Sequence, residues 1–234
     1  MGHSARSLMS VGPRPLLASG PGWSVALSGA DLLDTNLALL ATDDADQVDH
    51  VLGLLSAASV PVPLALAGDA AHVELGSPWI LGGQMPFMAL DLSSRPVSRD
   101  ARVRLVEPAS ADEAATVICD AFGLGDDARF IGELARRDDV SAELWCLVDE
   151  SRVVCAVVAD VVDDAVCIWC MATPAASQRR GYGRALLGDV LARAAARGAT
   201  TALLGATEAG RPLYDAMGFA TLEQWGMHVR SAPR

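Results

Sequence analysis

The chain has 234 residues and sets 18 cations against 29 carboxylates, a net charge of -11, and every cation is Arg, since Lys is absent. With 51% hydrophobic and 20% charged residues it has ample material for a buried core, which excludes a disordered chain. The acid excess excludes general binding to nucleic-acid phosphates and adsorption to anionic lipid, and leaves small-molecule or cationic partners.

Residues 1–22 hold Pro13, Pro15 and Pro21 without hydrophobic period and read as a flexible segment. Trp23 to Ser28 predicts a strand, and Leu32, Leu33, Leu37 and Leu40 predict a helix over 31–41. A second helix fits Gln47 to Ala58, followed by a strand over Pro63 to Ala67 and one or two strands over Trp79 to Leu92. Ser93 to Arg102 is polar, contains Pro96 and reads as a linker, giving domains over 23–95 and 102–234.

The second half begins with a strand at Val103 to Val106 and a helix capped by Ser110, with Glu113 as its capping-box partner. Another helix fits Asp127 to Arg137. Leu144 to Val148, Val153 to Val162 and Val166 to Met171 then predict antiparallel hairpins. Tyr182 to Arg197 carries Leu186, Leu187, Val190, Leu191 and Ala194 at helical spacing before Gly198. A strand over Thr201 to Ala206, a short helix opened by Pro212, and strands from Phe219 to Val229 complete the chain.

Five Cys (Cys119, Cys146, Cys155, Cys167, Cys170) in apolar context fit a reduced, cytoplasmic protein. Cys167 and Cys170 lie three apart on a strand, where they face opposite sides, so neither a metal site nor a redox pair is expected. The longest apolar stretch, Val51 to Gly68, is broken by Pro61 and Pro63, so no membrane span is expected.

Gln178-Arg179-Arg180-Gly181-Tyr182-Gly183-Arg184 stands between a strand and a long helix. A helix start offers unpartnered N–H groups and about half a positive charge, which together can cradle a phosphate. Gly181 and Gly183 remove side chains that would block it, and three Arg add charge to an acidic chain. A Rossmann dinucleotide protein fails on order, because here the glycines follow hairpins rather than a first strand.

Gln178-x-x-Gly181-x-Gly183 is similar to the acyl-CoA motif of the GNAT acetyltransferase superfamily, and Gly210-Arg211-Pro212-Leu213-Tyr214-Asp215-Ala216-Met217-Gly218-Phe219 resembles that family's last motif. The resemblance covers about Val103 to Val229, and 23–92 more loosely resembles the degenerate GNAT-like N-terminal half of actinobacterial members. It implies an α/β (α+β) fold, a mixed and mostly antiparallel sheet flanked by helices. It implies acetyl-CoA as acyl donor, a primary amine of a small molecule (cationic or antibiotic-like) or of a peptide as acceptor, and a homodimer. Backbone amides of Arg179, Arg180, Gly181, Tyr182, Gly183 and Arg184 would hold the pyrophosphate; Met171, Ala172 and Thr173 would meet the pantetheine and the thioester oxygen. Tyr214 would protonate the leaving thiolate. Glu208 is the first candidate for general base, with Asp160, Asp163 and Glu143 as alternatives, and Trp145 and Trp169 could wall the acceptor. The competing reading is an acyl-CoA-binding module without turnover that acts as a sensor or scaffold.

Overall fold

A computed structural model describes residues 1–93 and 99–230; residues 94–98, the middle of the expected linker, and 231–234 lie outside the described residues. The elements in order are α1 (Gly2–Met9), β1 (Leu16–Gly20), β2 (Trp23–Leu27), β3 (Asn36–Leu40), α2 (Ala45–Ser56), β4 (Val62–Leu66), β5 (Ile80–Asp91), β6 (Val103–Leu105) and α3 (Ala111–Phe122), followed by β7 (Ala142–Asp149), β8 (Arg152–Val162), β9 (Ala165–Ala172), α4 (Tyr182–Ala196), β10 (Thr201–Gly205), α5 (Arg211–Met217) and β11 (Ala220–Arg230). Two compact units result. One holds residues 2–87 and 221–230, the other the described residues of 88–220 together with Met1.

In the first unit the strand order is β1-β2-β3-β4-β11, with residues 80–87 of β5 beyond β11. The pairs are antiparallel except β3 and β4, which run parallel because α2 crosses over between them. Val51 and Leu55 of α2 pack on Leu27, Leu40, Leu64 and Leu66. Asp44 caps α2 by accepting from the Gln47 N–H at 3.0 Å.

Two expectations fail in this unit. Residues 1–22 are ordered into α1 and β1, with Ala5, Leu8 and Met9 buried. An eight-residue helix is too short to leave a clear period, and its stability comes from packing rather than pattern. The helix expected over 31–41 is instead a 3₁₀ turn at Leu33–Thr35 followed by β3, in which Asn36, Ala38 and Leu40 are buried alternately. Its leucines fit either period, and the sheet decides.

Asn36 explains the outcome locally. Its buried Oδ1 accepts from the N–H groups of Ser28 (3.0 Å) and Gly29 (3.3 Å), while Nδ2 donates to the carbonyls of Ala30 (3.1 Å), Leu32 (2.8 Å) and Pro61 (3.1 Å). One amide thus ties this loop together, beside the bonds that Thr35 makes with the Ser28 N–H and the Leu32 carbonyl.

The second unit has residues 88–91 of β5, then β10-β9-β8-β7-β6. Here β7, β8 and β9 form the expected antiparallel hairpins, and β9 runs parallel to β10 through the crossover helix α4. Leu186, Leu187, Val190, Leu191 and Ala194 of α4 are buried, as their spacing predicts, against Leu147, Val157, Ala159 and Ile168. Each such leucine contributes about 2 kcal/mol. The expected capping box at α3 is absent: Ser110 makes no side-chain cap, and Glu113 accepts from the Val153 N–H at 2.9 Å, fastening α3 to β8. The helix expected at 127–137 is a run of 3₁₀ turns over Asp126–Arg136.

Replacing Asn36 by Ala removes the side-chain partner of the buried Gly29 N–H and of the Ala30 and Pro61 carbonyls, while Thr35 still bonds the Ser28 N–H and the Leu32 carbonyl, so the Asn36→Ala variant should lose about 3 kcal/mol. Urea unfolding should show a lower midpoint with an unchanged slope; a midpoint within error of wild type would mean that the loop holds without this amide.

Candidate active site

The site is built where β9 and β10 part. They share a parallel ladder only at Ala165↔Thr201, Val166↔Ala202 and Cys167↔Leu203, although β9 continues to Ala172 and β10 to Gly205. On its other side β9 stays joined to β8, through a bulge. Ala156 pairs Ala172 and Val158 pairs Trp169, so Cys170 and Met171 together oppose Val157. Cys170 takes φ +50, the left-handed region that a non-glycine residue rarely adopts. A bulge bends its strand and re-aims the residues beyond it, here Met171, Ala172 and Thr173, past the point where β9 and β10 part.

The chain then reaches α4 through a 3₁₀ turn and two left-handed residues, Arg179 (φ +60) and Gly181 (φ +80), with Gly181 at the N-cap of α4. Gln178 Nε2 donates to the Thr173 carbonyl at 2.9 Å and holds this loop to the strand end. Gly181 and Gly183 are glycines for different reasons. A Cβ at Gly181 would meet nothing within 4 Å, so its role is the left-handed cap, with open space in front of it. A Cβ at Gly183 would sit 3.3 Å from Met171 Cε and 3.4 Å from Leu213 Cδ2, so there close packing matters. The first turn of α4 therefore carries backbone N–H groups without intrahelical partners beside this open space, an arrangement that can take a phosphate.

The side chains of this motif divide in function. Arg179 and Arg180 are exposed, whereas Arg184 donates to the Ala216 carbonyl at 2.8 Å and so caps the end of α5. Tyr182 turns into the core and donates to Asp149 Oδ2 at 2.5 Å, which leaves only its backbone facing the helix start.

Tyr214 lies on α5, which begins at Gly210 and ends at Gly218 in the left-handed conformation. Its ring is 7% exposed and meets Phe219 edge-on at 5.7 Å. A Cβ at Gly210 would come within 3.0 Å of Tyr214 Cε2, so that glycine lets the ring lie flat on the helix start. Burial, and then the nearby Cys155 and Cys170 thiols, push the phenol up to about 12. Cys155 is itself pushed up to about 12 by burial, against a 3.0 Å hydrogen bond with Thr173 Oγ1. Cys155 thus bonds Thr173 and also stands near Tyr214, which its apolar context in the sequence does not reveal. The clue was the alternation along β8, which puts Cys155 on the face of Val157 and Ala159, but only the register with β9 places it against Thr173.

The four carboxylates considered as bases fall apart in space. Glu143 receives both terminal nitrogens of Arg197 at 2.8 Å and Trp145 Nε1 at 3.2 Å. Asp163 sits in the β8–β9 turn with φ +54, and Asp160 is fully buried on β8 opposite Cys167. Glu208 is exposed in the turn between β10 and α5. Of the two tryptophans, Trp145 is buried and carries Arg193 over its ring at 5.1 Å, and Trp169 is half-buried on β9.

Residues 141–221 match the family model described as an acetyltransferase (GNAT) domain. No curated protein matches the chain in sequence. Among solved structures, a GCN5-related N-acetyltransferase from Kribbella flavida superposes with a TM-score of 0.64 at 16% identity, covering 100% of this chain and 97% of that one. Another from Sphaerobacter thermophilus gives 0.59 at 14% identity over 91% and 78% of the two chains. A conserved protein of unknown function from Staphylococcus epidermidis gives 0.63 at 13% identity over 94% and 95%. Identities this low speak for the fold alone, while the family match falls on the segment that carries the hairpins, the parted strands, α4 and Tyr214. Residues 141–221 are thus similar to a GNAT acetyltransferase domain, and the chain shares the expected mixed α/β fold with these solved structures.

Proposed function

We propose that the protein transfers an acetyl group from acetyl-CoA to a primary amine, with the second unit as the catalytic one. The observation that carries this reading is the parting of β9 and β10 beside a glycine-capped helix start. The gap has the form of a slot for an extended pantetheine arm. The N–H groups of Arg179 to Arg184 supply the partners for a pyrophosphate, with Arg179 and Arg180 adding charge.

The chemistry follows from what surrounds the gap. A main-chain N–H near Met171 or Ala172 stabilises the oxyanion formed as the amine attacks the acetyl carbon. Tyr214, protonated at neutral pH, gives its proton to the departing thiolate. The ammonium must first lose a proton, and Glu208 takes it through water, since Glu143 is held by Arg197 and Asp160 is sealed in the core.

The first unit supports a degenerate copy of the same plan. It repeats the order of hairpin, parallel crossover helix and flanking strand, but β3 and β4 stay paired to their ends at Leu40↔Leu66, and the Ala67 N–H extends that ladder to the Leu40 carbonyl. Its crossover helix starts at Asp43, Asp44 and Asp46 rather than at glycine and arginine. Neither the slot nor the charge for a CoA is present there. The net charge of -11 favours cationic acceptors.

Acetyl-CoA at about 100 times its Kd should stabilise the wild type by about 2.7 kcal/mol in a thermal-shift titration. Gly181→Glu should lose that response, because a carboxylate would face the pyrophosphate. Gly181→Ala should keep it while losing about 1 to 2 kcal/mol of intrinsic stability to the left-handed φ. A wild-type response in Gly181→Glu would refute the phosphate site.

Tyr214→Phe should retain acetyl-CoA binding and lower kcat at least about 100-fold in a thiol-release assay. Binding without thiol release across a broad amine panel, in the wild type itself, would favour the sensor reading.

Subtracting the alkaline titration of Tyr214→Phe from that of the wild type should isolate a phenol ionising near 12. In the unfolded chain it ionises near about 10. Its stabilising contribution is therefore complete below about pH 10 and is lost as pH rises toward 12.

A further inference from the structure

The first unit contains a cavity of about 570 Å³ that no step above uses. It opens between β11, the start of β5 and the segment after β4. Its polar lining is His72, Glu74, Gln84, Gln224 and His228, and its apolar walls include Leu66 and Leu75. Gln224, Gly226 and His228 alternate along β11 and so share one face of it.

Two details mark this as a place for a ligand. The Nδ1 of His228 is buried and has no hydrogen-bond partner among the described residues, which is uncommon for a native polar atom. Between Gln224 and His228 the strand carries Gly226, and a Cβ there would lie 3.5 Å from His228 Cε1. Any larger side chain would grow into the space above the imidazole. A glycine in a strand interior costs stability and often marks a close approach from outside.

We propose that this cavity binds a small protonated amine with an apolar arm. Glu74 supplies a carboxylate, and Gln84, Gln224 and the imidazoles supply acceptors for an ammonium group, while Leu66 and Leu75 receive the arm. No arginine lines it among the described residues, so nothing there balances the charge of a phosphate or carboxylate ligand. The proposal is independent of acyl transfer in the other unit.

The test uses the full chain and benzylamine, with benzyl alcohol and benzoate as the neutral and anionic counterparts. The chain has only four histidines, His3, His50, His72 and His228, so their ring signals can be followed individually by NMR. Benzylamine should shift His72 and His228 saturably and leave His3 and His50, the latter packed on Trp23, in place. Benzyl alcohol and benzoate should bind at least about tenfold more weakly, as should benzylamine to Glu74→Gln, since each removes the charge-assisted contact. Gly226→Leu should abolish the shifts. Glu74 is exposed, so its variant remains informative even where Gly226→Leu fails to fold. The proposal is overturned by absence of shifts at millimolar benzylamine, by equal shifts at His3 or His50, by equal binding of benzoate or benzyl alcohol, or by wild-type affinity in Glu74→Gln.

Discussion

A strand in the middle of a sheet normally spends its backbone hydrogen bonds on two neighbours, because buried N–H and C=O groups left alone are costly. In the second unit the ladder between β9 and β10 ends at Cys167, well short of the end of β9 at Ala172. The remaining features follow from that opening. A bulge at Cys170 bends the strand away, Gly181 turns the chain into α4 with its N–H groups facing outward, and α5 brings Tyr214 to the same region. A ligand whose amides complete the ladder and whose phosphates meet a helix start answers both sets of groups at once.

The two units show how little separates an open slot from a closed one. Both place a crossover helix between parallel strands, and both continue to a further strand beyond the pair. In the first, three ladder pairs reach the strand ends and an Asp caps the helix; in the second, three pairs cover only the strand starts and a left-handed glycine caps it. An acidic helix start is favourable to the helix itself and repels a phosphate, so the helix dipole is occupied by a carboxylate in the first unit and left open in the second.

Chemistry in the second unit is tuned by desolvation more than by charge pairs. Tyr214 is raised mainly by burial, which keeps its phenol protonated, and Cys155 is raised for the same reason, which keeps it a thiol bonded to Thr173. The charged groups are engaged elsewhere. Arg184 caps α5, Arg197 holds Glu143, and Arg193 pairs with the buried Asp189. The cluster of Arg in the sequence motif thus overstates the side-chain charge that meets a ligand, and the backbone matters more than the composition suggests.

The sequence by itself determined the elements whose signals are local: the hairpins from Ala142 to Ala172, five of the buried positions along α4, and the glycines at the start of α4 and at the end of α5. Those depend on side-chain period and on backbone angles that one residue type favours. What tertiary structure decided is everything set by pairing between distant segments. The leucines of 31–41 became a strand because β2 and β4 flank them and Asn36 ties the preceding loop. Glu113 left its expected cap for the Val153 N–H, and Cys155 met Thr173 through a register that only the bulge fixes. Residues 221–230 joined the unit built from residues 2–87 because a strand takes its partner from wherever an edge is open, and no period along the chain records which edge that is.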